Sequence, residues 1–100
     1  MLINAEAAYH AGGDAATPLN RVRTRAELAP IGSPTLEDIW KERHLELAGE
    51  QDRYWDLLRT GQAATVLASY GFKTGKHEWY PIPQKEVDLS GGQLEQNPGW

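Results

Sequence analysis

Two groups of side chains are of types and spacings that can do chemistry. The first is charged: Arg43, Glu46, Glu50 and Arg53 recur at intervals of three and four residues, so on a helix they share one side. Carboxylates one turn apart on a covered face can act as general acid and general base. Each glutamate also has an arginine one turn away, Arg43 for Glu46 and Arg53 for Glu50. A neighbouring guanidinium favours the ionised carboxylate, the wrong direction for a proton donor at neutral pH. The expectation is therefore a structural charge network that fixes helix register, with no catalytic residue. The second group is aromatic. Trp79 and Tyr80 adjoin on a proline-rich segment, with Trp100 further on. Aromatic faces stack on the apolar faces of sugar rings, which makes Trp79 and Tyr80 candidate ligand-contact residues. The competing expectation is that they alternate in and out, one of them joining Ile82 to pin the segment to the helices.

Other chemistry finds no motif. His10, His44 and His77 are far apart on different elements, and no zinc or calcium spacing occurs. There is no Gly-x-Ser-x-Gly elbow, and Gly12-Gly13 and Gly91-Gly92 are turn glycines rather than a phosphate cradle. With no cysteine, thiolate nucleophiles, thiolate metal sites and disulfides are excluded. The expectation is a protein without metal or cofactor that is not an enzyme. A net charge of -4, with ten Lys and Arg scattered among acids, argues against nucleic acid as a partner. The 40% hydrophobic and 24% charged content fits a globular chain.

These residues must be positioned by helices. Leu2, Ala5, Ala8 and Tyr9 share a helical face that Gly12-Gly13 ends. Asp14 is a plausible N-cap for a second helix running to about Glu27, with Pro18 in its first turn. Leu19, Val22 and Ala26 point inward, while Arg21, Arg23 and Arg25 are largely solvated. After the break at Pro30 to Pro34, Thr35 caps a long helix, and Asp38 completes a capping box. Leu36, Ile39, Trp40, Leu47, Tyr54, Leu57 and Leu58 stay in phase across Gly49, which predicts one helix or two nearly collinear ones. A further helix covers about 62–69. From Phe72 the glycines and prolines favour extended chain, with a brief helical turn at Pro83 to Val87. Leu94 and Trp100 need something to pack on, so this tail reads as a docked strap. The predicted fold is mainly α in a single domain, 1–71 helical and 72–100 an extended docked tail. Its parts are a tetratricopeptide-like helical hairpin, a long amphipathic helix and the C-terminal strap.

Three stretches, in order, resemble the C-terminal end of the RagB/SusD family of outer-membrane nutrient-binding lipoproteins. The first is Leu19-Asn20-Arg21-Val22-Arg23-Thr24-Arg25-Ala26 with Ala29-Pro30-Ile31. The second is Glu42-Arg43, Glu46-Leu47, Glu50, Arg53 and Asp56-Leu57, continued by Arg59-Thr60-Gly61. The third is Lys76-His77, Tyr80-Pro81-Ile82-Pro83-Gln84 and Glu86, then Gln96-Asn97-Pro98-Gly99-Trp100. One departure is Gln51, where many members carry glycine, so that the local turn is expected to be tighter or more helical.

The resemblance implies a non-enzymatic, surface-exposed lipoprotein of the cell outer membrane that takes an oligosaccharide or peptide. Such proteins lie as a lid over a TonB-dependent outer-membrane porin. The family's ligand surface is usually built upstream of this segment, so no binding residue carries over. The sequence shows no signal peptide and no lipid-attachment cysteine, which reads as a fragment, a truncated frame or a short divergent member. An isolated fragment is expected to self-associate through Leu2, Tyr9 and the Trp40 face. The alternative function is a freestanding tetratricopeptide-like module that presents its hairpin groove to a peptide.

Overall fold

Turn and cap residues divide the chain into six α-helices: α1 Leu2–His10, α2 Ala16–Arg25, α3 Leu36–Glu46, α4 Arg53–Arg59, α5 Ala63–Val66 and α6 Gln84–Leu89. A single 3-10 turn spans Ala68–Tyr70. The computed structural model describes residues 1–100 and contains no strand, so the mainly-α expectation holds. Two compact units are formed, Met1–Arg53 and Tyr54–Trp100.

In the first unit α1 and α2 pack together as the predicted hairpin, and α3 packs on both. Gly12, at φ 69, takes the left-handed conformation that ends α1. Asp14 then accepts from the backbone N–H of Thr17 at 3.0 Å and from its hydroxyl at 2.6 Å, which satisfies a first-turn donor of α2 from one residue ahead of the N-cap position, Ala15. The core is Leu2, Ala5, Ala15, Leu19, Val22 and Ile39, with Ala8 and Ile31 against it. Leu2 is thus buried, not a sticky surface residue, because α2 and α3 pack against α1 and share its core. Ala26 is exposed rather than inward, since α2 has ended at Arg25 and the chain turns through Glu27 at φ 57. Asn20 secures the following loop, donating to the Ile31 carbonyl at 2.9 Å and accepting from the Ile31 N–H at 2.8 Å.

Thr35 and Asp38 form the predicted capping box. The Thr35 hydroxyl accepts from the Asp38 N–H at 3.2 Å, and the Asp38 carboxylate accepts from the Thr35 N–H at 2.8 Å. These bonds hold the Asp38 carboxyl below the usual carboxylate range, the Thr35 N–H contributing most and its hydroxyl next. Asp14 is lowered likewise, first by the Thr17 hydroxyl and then by the Thr17 N–H. A depressed folded-state pKa means that the unfolded chain binds more protons as pH falls. The stability these caps contribute is therefore full above the ordinary value of 3.8 and is lost as pH drops through the lowered values. The melting temperature is expected to fall on acidification below that value, and Asp38→Asn to flatten part of the fall. Scanning calorimetry against pH checks this.

The long helix expected from Thr35 across Gly49 is not continuous. α3 stops at Glu46 and α4 starts at Arg53, with Gly49 at φ 90 and Gln51 at φ 64 between them. Two left-handed residues cannot continue a right-handed helix. Gln51 therefore makes the turn neither tighter nor more helical: it takes the positive φ that glycine adopts without strain. Gln51→Gly is expected to stabilise the chain by about 0.5–1 kcal/mol, relief of the left-handed strain outweighing glycine's extra unfolded-state entropy. A urea midpoint shifted upward is the readout.

In the second unit Leu57 and Ala63 are the buried apolar residues. Gly61, at φ 71, ends α4. The single helix expected over 62–69 is instead α5 followed by the 3-10 turn, closed by Gly71 at φ 83. Residues 72–83 are turns and irregular chain, and the brief helical turn expected at Pro83 to Val87 is present as α6, which runs on to Leu89.

Candidate functional site

The charged residues assemble differently from the network their spacing predicts. Glu46 pairs with Arg25 on α2. The carboxylate buried most deeply is Glu42, which takes Arg23 Nη1 at 2.6 Å. Arg23 was expected in solvent, yet its side chain is 18% exposed and its Nε also donates to the Ala29 carbonyl at 2.8 Å. Arg43 is half-buried on α3, Glu50 is exposed in the break after it, and Arg53 opens α4. Because the helix is broken, no one helical face carries all four. Trp40 Nε1 donates to Glu6 at 2.9 Å, a further tie between α3 and α1. These carboxylates act as acceptors that lock three helices together. They do not converge on an open cleft.

The aromatic residues converge in the second unit. Tyr54 and Trp55 sit on α4, their rings edge to face with centroids 5.8 Å apart. The Tyr54 hydroxyl donates to the His77 carbonyl. Burial pushes this phenol's pKa up, with Tyr80 and Glu78 adding to the rise. His77 packs between Phe72 and Trp100, centroids 5.6 and 5.8 Å away, and its Nδ1 accepts from the Lys73 N–H at 2.9 Å. Trp100 Nε1 donates to the carbonyls of Lys76 and Trp79, both at 3.1 Å, and Lys76 Nζ lies 4.2 Å from the ring centroid. A Cβ on Gly99 would come within 3.0 Å of the Lys76 side chain, at a residue already at φ 81. Only glycine fits that approach.

The same tail fixes the segment that carries Tyr80. Asn97 Nδ2 donates to the Tyr80 carbonyl at 2.6 Å. Gln96 brackets Ile82, accepting from its N–H at 2.7 Å and donating to its carbonyl at 2.8 Å. Held in this way, the Tyr80 ring meets Trp55, with centroids 5.7 Å apart and planes tilted by 41°. Trp55 and Tyr80 are 53% and 64% exposed.

Trp79 is also more than half exposed, so neither Trp79 nor Tyr80 is the buried pin that alternation would require. Sequence reasoning missed Trp55 as Tyr80's neighbour. The signal was an aromatic side chain placed off the apolar face that carries Tyr54, Leu57 and Leu58. Chemically the surface offers two partly exposed aromatic rings in contact with each other. Across the chain, no group of three His, Asp or Glu side chains is placed to hold a metal.

A helical scaffold of ion-paired helices, joined to a unit that displays aromatic rings, matches known proteins over its length. The profile of the SusD family fits residues 1–78, and the chain belongs to that family. A SusD-like protein of Formosa agariphila is 30% identical over 112 residues, covering 97% of this chain and 22% of that protein. Among solved structures, a laminarin-binding SusD-like protein is 46% identical with a TM-score of 0.85, over 99% of this chain and 21% of its own. Surface glycan-binding protein A from Bacteroides thetaiotaomicron is 50% identical with a TM-score of 0.74, over 85% of this chain and 19% of its own. The chain thus spans about a fifth of the length of these relatives.

Proposed function

We propose that this chain is the scaffold portion of a SusD-like protein that captures glycan at the cell surface, held at the outer membrane as a lipoprotein and working with a TonB-dependent porin. The observation that carries the reading is the match of nearly the whole chain, in sequence and in fold, to a laminarin-binding member of its family. The ion pairs of Arg23 with Glu42 and Arg25 with Glu46 support a structural role for these carboxylates. No helix is long and apolar enough to cross a membrane. The alternative, a peptide held in the hairpin groove, is disfavoured because α3 packs against both hairpin helices and Ile39 fills the core between them.

A tagged protein that carries this segment, purified from its own outer membrane, is expected to bring a TonB-dependent porin with it. It should also retain soluble glucan without releasing reducing ends. Recovery with no porin would contradict the partner. Release of reducing ends that stops with Glu46→Gln would contradict the non-enzymatic role.

A further inference from the structure

We draw no further inference here: the strongest candidate, the outward face of α1 that leaves Ile3 and Ala7 exposed one turn apart, is an unpartnered apolar face, and nothing in the structure shows what covers it.

Discussion

Arg23→Ala is expected to destabilise the first unit by about 3–5 kcal/mol, the range seen when a buried ion pair loses one partner. The reason lies in the environment of Glu42, whose side chain is only 6% exposed. Without Arg23 Nη1 at 2.6 Å, this carboxylate is left desolvated beside the apolar core of α1, α2 and α3. The loss of the Arg23 Nε bond to the Ala29 carbonyl loosens the loop after α2 as well. Small domains hold about 5–15 kcal/mol in all, so this is a large share of the total and the unfolding midpoint should fall markedly. The double replacement Arg23→Met with Glu42→Leu is expected to recover most of the loss, because it removes the buried charge together with its partner. Urea denaturation followed by circular dichroism measures both. An Arg23→Ala midpoint equal to that of the parent chain would show that Glu42 is solvated in the folded state.

The second large effect is expected at Ile39. Ile39→Ala should cost about 2–5 kcal/mol, the transfer term for the lost methylenes plus the cavity left behind. Ile39 is fully buried and joins α3 to Leu2 and Ala5 of α1 and to Leu19 and Val22 of α2. Those neighbours are anchored on two other helices, so the site cannot readily collapse onto the gap. Ile39→Val, by contrast, should cost only about 0.5–1.5 kcal/mol. Calorimetric melting of the two variants gives the comparison. A similar loss for both would mean that the terminal Cδ1 methyl group carries the contact, because valine keeps the branch at Cβ and most of the volume.

What the sequence disclosed follows the range of each interaction. Local chemistry was legible. The Leu2, Ala5 and Ala8 spacing, the Gly12-Gly13 stop and the Thr35–Asp38 box all lie within a turn or two of chain and all stand in the structure. Tyr9, by contrast, leaves the predicted face for solvent, and Asp14 bonds Thr17 from one residue ahead of the N-cap. The continuous helix across Gly49 was a false reading with an identifiable cause. Tyr54 follows Leu47 by two helical turns' worth of residues, so the apolar phase survives a break at Gly49 and Gln51 that interrupts the backbone. The charge pairs were assigned along one helix because that is the only spacing a sequence displays. Arg23 and Glu42 are brought together by the packing of α2 on α3, which no local pattern encodes. Trp55 escaped notice for the same reason. Its neighbour Tyr80 arrives from a segment whose path depends on Asn97 and Gln96 further along the chain. The family resemblance was legible because its motifs coincide with these fixed points: Arg23 and Glu42 in the scaffold, and Tyr80 to Ile82 with Gln96 and Asn97 in the second unit.

The central claim is that these hundred residues serve glycan capture as a folded scaffold. It is tested most directly by seating this chain in place of the matching fifth of the laminarin-binding relative and measuring laminarin affinity by calorimetry. The account predicts a folded chimera that binds laminarin within about threefold of the unaltered relative, because a tenfold change would need 1.4 kcal/mol of altered contact. A chimera that folds and melts cooperatively yet has lost laminarin binding would contradict it.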